Sequence, residues 1–346
     1  MTLVTFWFIV LTVLWTGFLV LEGFDFGVGM LHGVVGRDEP GRRVAIATIG
    51  PLWDGNEVWL IVAGAGMFAA FPGWYATMFS GFYLAFLLLL AALIARGVSF
   101  EFRGKRESVR WRRTWDAALT GGSLLAPLLI GVALGNLLHG VPIAADQEYS
   151  GSFVDLLNAY SLFTGVTVVL LCLLHGATFL ALKTSGEVHQ RAVRVARRVV
   201  PVAAAAVLAF AVWTVVLADN GVTASLAAVP AVLAVAAAAW LVGRDRDGSA
   251  FVASAVTMAA VAVSIFLALY PRVMVSTLGS GTDLTVTNTA SSSYTLRLMT
   301  IVAVIFVPVI LVYQGWTYYV FRRRIGAAPA AAGPAPSARE AHQPES

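Results

Sequence analysis

Phe6-Trp7-Phe8-Ile9-Val10-Leu11-Thr12-Val13-Leu14-Trp15-Thr16-Gly17-Phe18-Leu19-Val20-Leu21-Glu22-Gly23-Phe24-Asp25-Phe26-Gly27 carries no basic side chain and only two acids. A helix rises ~1.5 Å per residue, and about 20 apolar residues cross a bilayer core. This stretch therefore reads as a membrane span with two carboxylates inside it. The rest of the chain repeats the pattern. Of 346 residues, 59% are hydrophobic and 12% are charged, and the mean hydropathy is +0.81. A soluble domain carries ~25% charged residues, so too few polar side chains exist to clothe this one in water. The class is a polytopic all-α membrane protein, because only helices or closed barrels satisfy the backbone within lipid.

Nine stretches have the required length: residues 2–31, 49–71, 75–95, 115–138, 158–182, 199–218, 223–242, 250–270 and 296–321. Lys and Arg concentrate on cytoplasmic loops, and of the 23 here, all but Arg272 and Arg297 fall on alternate connections or the tail. That alternation predicts the N-terminus outside and the C-terminus in the cytoplasm. The first basic residue, Arg37, follows the first span, so no signal peptide is expected. Residues 1–325 form the expected transmembrane domain; residues 326–346, rich in Ala and Pro, form an expected disordered cytoplasmic tail. The basic clusters set topology and leave no role for nucleic acid. Cys172 is the single cysteine and lies in an apolar run, which excludes a disulfide framework or a CxxC site. Two outer connections, around 140–156 and 272–295, are long enough to pack over something. Gly23/Gly27 and Gly131/Gly135 have the GxxxG spacing of helix contacts.

Four acids sit at membrane depth: Glu22 and Asp25 in the first span, Asp54 and Glu57 in the second. Each pair is spaced i, i+3 and shares a helix face. Asp25 and Asp54 should lie nearer the cytoplasm, with Glu22 and Glu57 a turn deeper, forming two rungs suited to proton uptake. They equally suit pairing with Arg96 and capping of helix ends, and the two roles are compatible. Arg96 is the natural counter-ion, with an interfacial anchor as the alternative; Trp53 is set apart from the aromatic belt as a contact residue. His175, the one histidine well inside a span, is more often a packing residue than a haem ligand. A proton-coupled transporter would need a second copy of the acid-rich segment, and none is present.

The stretches Gly23-Phe24-Asp25-Phe26-Gly27-Val28-Gly29-Met30, Trp53-Asp54-Gly55-Asn56-Glu57-Val58-Trp59-Leu60, Phe79-Ser80-Gly81-Phe82-Tyr83 and Gly131-Val132-Ala133-Leu134-Gly135-Asn136-Leu137-Leu138-His139-Gly140-Val141-Pro142 resemble subunit II of cytochrome bd-type quinol oxidases. The likeness continues through Gly176-Ala177-Thr178-Phe179 and residues 308–314, to about Arg324. It implies nine spans arranged as two four-helix bundles plus one extra helix, in the cytoplasmic membrane. It further implies a partner, subunit I, holding haem b and haem d that this chain does not bind, with quinol oxidised and dioxygen reduced to water. A small single-helix accessory subunit is a further candidate partner, and some members hold a quinone in subunit II. Matching positions are acidic for Asp54 and Asp25 and basic for Arg96, with the first assigned to a proton path. Relatives can carry Gln in place of Glu57 and of His175, so those two transfer least. A purely structural scaffold within the same oxidase is the competing reading for the acids.

Overall fold

A computed structural model describes residues 2–218 and 221–326. The predicted tail therefore lies, but for Gly326, outside the described residues. The chain runs through α1 (Leu3–Val35), α2 (Glu39–Ala47), α3 (Trp53–Ala70), α4 (Pro72–Gly81), α5 (Tyr83–Phe102), α6 (Val109–His139), α7 (Ala159–Lys183), α8 (Gly186–Leu217), α9 (Gly221–Gly243), α10 (Asp247–Leu269) and α11 (Ser293–Val320). Strands β1 (Arg272–Met274) and β2 (Leu284–Thr285) form one small hairpin. Eight of the described helices are long and apolar enough to cross a membrane. The stretch predicted as the second span is the eighteen-residue α3, whose first turns carry Asp54, Asn56 and Glu57 and dilute its apolar content.

The third predicted span, 75–95, is divided between α4 and α5, which meet at Phe82. Phe82 N–H still donates to Met78 at 2.9 Å and Phe86 N–H to Phe82 at 2.9 Å, so the two helices follow each other with a one-residue break. Gly73 N–H donates to Thr289, Thr77 Oγ1 donates to the Gln147 carbonyl, and Gly81 abuts the Tyr149 ring, which ties α4 to both long connections.

Helix α1 is the centre, packing against α3, α6, α7 and α10, while α7, α8, α9 and α10 follow one another as neighbours. Lipid supplies no hydrophobic drive between helices, so close backbone approach must hold them. Gly27 and Gly176 provide it between α1 and α7: a Cβ on Gly27 would lie 2.7 Å from the Gly176 Cα. Gly131 meets Gly165 in the same way between α6 and α7, at 2.6 Å. Both predicted GxxxG stretches thus include a true crossing point. The two long outer connections cover one end together. Val141 N–H donates to Val275, Val275 N–H to Leu137, and Ser276 Oγ to Ile143.

The arginine-rich end is closed by charge. Arg103 forks onto Glu39 with two 2.9 Å bonds and reaches Asp116 at 2.6 Å through Nε. Asp116 also takes Arg42 at 3.0 Å and faces His32 at 3.2 Å, so one network joins α1, α2, α5 and α6. The Arg103 hydrogen bonds hold the Glu39 carboxyl below its usual range, outweighing its partial burial.

Two outcomes are expected from these contacts. Gly27→Leu should abolish accumulation of the assembled protein, since the side chain has no room at the α1–α7 crossing; membrane abundance by immunoblot checks it. A carboxyl whose proton affinity is lowered by folding contributes stability above its unfolded pKa, and loses that contribution as pH falls through the folded value. The melting temperature of Glu39→Gln should therefore lie below that of the unmodified protein at neutral pH. The gap should close below about pH 4, where an ordinary Glu protonates.

Candidate functional site

The predicted acids converge on one guanidinium. Arg96, on the penultimate turns of α5, is fully buried. Its Nη1 lies 2.6 Å from Glu22 Oε1 on α1 and 3.1 Å from Glu57 Oε2 on α3. Glu22 is also fully buried, and Glu57 keeps 22% side-chain exposure. Glu22 and Glu57, expected as one rung, thus meet at Arg96, which contacts both carboxylates. The guanidinium carbon sits 4.9 Å from the Phe26 ring centre, 5.4 Å from Phe100 and 6.0 Å from Trp53. Trp53 and Phe100 stack at 4.8 Å. The aromatic faces supply cation–π attraction where water is excluded.

The second rung is built differently from the expectation. Asp25 is fully buried, and its partner on α3 is Asn56, whose Nδ2 donates to Asp25 Oδ2 at 2.7 Å and to the Leu21 carbonyl at 3.1 Å. Asp54 is exposed on α3, one turn before Glu57. The reason is helical phase. Asn56 is buried at 1%, so two residues away Asp54 must point elsewhere. An acid in the first turn of α3 is also favoured by the helix dipole.

Four residues of this site, Asn56, Trp59, Gln314 and Tyr318, were not singled out from sequence. Asn56 Oδ1 accepts from Gln314 Nε2 at 3.1 Å and from the Tyr318 hydroxyl at 2.9 Å, both on α11. Gln314 Oε1 in turn accepts from Trp59 Nε1 at 2.8 Å. Asn56 and Gln314 lie in the stretches that carry the family resemblance, but neither is ionisable, and a search for charge passes over them. Polar atoms remain in the cluster: Arg96 Nε and Nη2, Glu22 Oε2 and Asp25 Oδ1 are buried and make no hydrogen bond to the described residues.

His175 is no axial ligand in this arrangement. Its Nε2 donates to the Val20 carbonyl at 3.1 Å, Nδ1 lies 2.7 Å from Ser254 Oγ, and the ring stacks on Phe251 at 4.6 Å. Both nitrogens are spent on protein contacts. His32 is likewise held at both nitrogens, by Gly29 and Asp116. These side chains do not fit haem ligation. The described residues contain no group of three or more His, Cys, Asp or Glu able to hold a metal ion.

The sequence profile of cytochrome bd terminal oxidase subunit II matches residues 3–321. A Bacillus subtilis protein named cytochrome bd ubiquinol oxidase subunit 2 is 45% identical, covering 92% of this chain and 96% of its own length. Subunit 2 of the Escherichia coli cytochrome bd-I ubiquinol oxidase is 39% identical over 92% of this chain and 94% of its own. Among solved structures, a chain of the bd oxidase from Geobacillus thermodenitrificans superposes with a TM-score of 0.68. It covers 92% of this chain and 97% of its own at 19% identity, which supports the shared fold. With a profile match over nearly the whole chain and two relatives above one-third identity, this chain belongs to the family of cytochrome bd terminal oxidase subunit II.

Proposed function

We propose that the chain works as the non-haem subunit of its quinol oxidase, carrying protons inward from the cytoplasm while subunit I does the redox chemistry. The observation that carries this reading is one line of carboxyls. Exposed Asp54 lies one turn from Glu57, Glu57 shares Arg96 with Glu22, and Glu22 is one turn from Asp25 on α1. The line runs from the surface into a fully buried site. Two carboxyls, Glu22 and Glu57, share a single guanidinium there with Asp25 a turn away, and unbalanced charge is costly at such burial, so the cluster is suited to hold protons. Its buried, unpartnered polar atoms are the kind of groups that ordered water serves.

The same reading takes α3 as the ninth span, with the N-terminus outside and two four-helix bundles plus α11. The α7–α10 neighbours support one bundle, and α1 packed on α3 and α6, with α5 on α6, supports the other. The protein then resides in the cytoplasmic membrane, with haem b and haem d in subunit I. Quinol is the electron donor, and a single-helix accessory subunit is a further partner. When bound in subunit I, the haems would supply the reduction of dioxygen. This chain's residues would bind and pass protons toward them. Val58, Ile61 and Val62 are exposed beside Asp54 on α3. A charge at the end of such an apolar face calls for a protein partner over it.

Asp54→Asn should lower oxygen consumption of the purified complex by roughly 10²-fold or more, the scale of a lost proton-transfer group, with haem absorbance retained. Normal turnover would sink the proton route, and loss of haem instead would favour the scaffold. Glu22→Gln should behave differently. It strips a buried guanidinium of its closest partner, which costs about 3–5 kcal/mol. The expected result is loss of assembled complex, read by haem absorbance on a tag carried by this chain.

A further inference from the structure

Hydrogen positions in the Asp25 network can be fixed by elimination, starting from a group with only one option. An indole N–H only donates and a backbone carbonyl only accepts. Trp59 Nε1 is 2.8 Å from Gln314, so the amide atom facing it is the oxygen. Gln314 then turns its NH2 to Asn56, 3.1 Å away, and Tyr318 adds its hydroxyl at 2.9 Å. The Asn56 oxygen is thereby committed to α11. Its NH2 must face the other way, where the Leu21 carbonyl at 3.1 Å accepts one hydrogen and Asp25 Oδ2 at 2.7 Å receives the other. Two independent ends, the indole and the carbonyl, agree on the same orientation.

We propose that Asn56 is a positioning residue: its amide, oriented from α11 through Trp59 and Gln314, presents an N–H to Asp25 and so sets how readily that carboxyl gives up a proton. This inference rests on the proton-uptake reading and deepens it, because it adds a control residue to the same site. A donor aimed at a carboxyl favours its ionised form, whereas an amide turned over would present oxygen and favour the protonated form. A groove of about 540 Å³, lined among others by Gly17, Trp59, Gln314 and Tyr318, runs beside the chain of bonds. Helix α11 itself has Leu296 as its one buried residue, so the Gln314 and Tyr318 bonds are a principal polar tie between this helix and the interior. The seating of α11 and the proton affinity of Asp25 are thereby linked.

The other ionisable groups around Asp25 are Glu22 on α1, Glu57 on α3, Arg96 on α5, Cys172 and His175 on α7, and Tyr318 on α11. All of them stay in place in the decisive variants. The test is the pH profile of oxygen consumption by the purified holo-complex, with haem absorbance as the check on assembly. Asn56→Ala should move the profile by about one to two pH units in the alkaline direction, the size of one hydrogen bond to a charged group. The quinol KM should stay unchanged. Trp59→Phe, which removes the orienting indole donor and keeps an aromatic ring, and Gln314→Met should move it the same way by less. Wild-type profiles in Trp59→Phe and Gln314→Met with haem intact would overturn the proposal, including in the case where Asn56→Ala does not assemble. Asp25→Asn separates the layers. If its turnover and profile match wild type, the proton-uptake reading itself fails. If it is impaired while the Asn56, Trp59 and Gln314 variants keep the wild-type profile, only the role of Asn56 fails.

Discussion

A guanidinium withdrawn completely from water must be matched where it lies, and Arg96 imposes that demand on the interior of this protein. The effective penalty for a buried ion is several kcal/mol even after relaxation. Here the match comes from two helices at once, Glu22 on α1 and Glu57 on α3, with Phe26, Phe100 and Trp53 offering ring faces. The positions of α1, α3 and α5 are consequently not independent. A shift of any one of them strands a charge in a place that cannot solvate it. This constraint explains why an acid-rich segment can be tolerated in the central helix of a membrane protein.

Such a site needs rigid walls, and lipid does little to provide them. The glycine crossings at Gly27/Gly176 and Gly131/Gly165 bring α1 and α6 against α7 at backbone distance, which fixes the height of Glu22 and Asp25. At the arginine-rich end the Arg103, Glu39 and Asp116 network locks α2 and the α5–α6 turn under the cluster. At the other end α4 and the two long connections form a cover. Contacts at both ends thus brace the helices that carry the Arg96 cluster between them.

What the sequence made legible follows from how each signal is encoded. The membrane class is a property of long apolar runs, and the acids are conspicuous because charge is rare there. Arg96 as partner was readable from its depth and sign. The pairing of rungs was only half readable: an i, i+3 spacing puts Glu22 with Asp25 on one face, but the rotation of α3 relative to α1 is a tertiary quantity. That rotation brought Asn56 inward and turned Asp54 out. The break at Phe82 between α4 and α5 left no mark in the hydropathy, which records what a segment is made of and not where its helix is interrupted. Gln314 and Tyr318 were invisible because neutral amides and hydroxyls acquire their role only from the neighbour they meet.

The contrast between Asp54 and Asp25 gives the site its direction. Two aspartates of the same intrinsic chemistry occupy opposite extremes of burial, separated by Glu57, Arg96 and Glu22. A carboxyl at the surface meets bulk water, while a buried one is reached only through its neighbours. Asp25 meets its neighbours through Asn56, an amide whose orientation is dictated from α11, the least buried of the described long helices. The end of the line that is remote from water is thus the end most closely tied to the surface that faces outward from this subunit. Whatever seats α11 therefore acts on the innermost acid directly, through three hydrogen bonds, without any movement of the Arg96 ion pair that the fold requires.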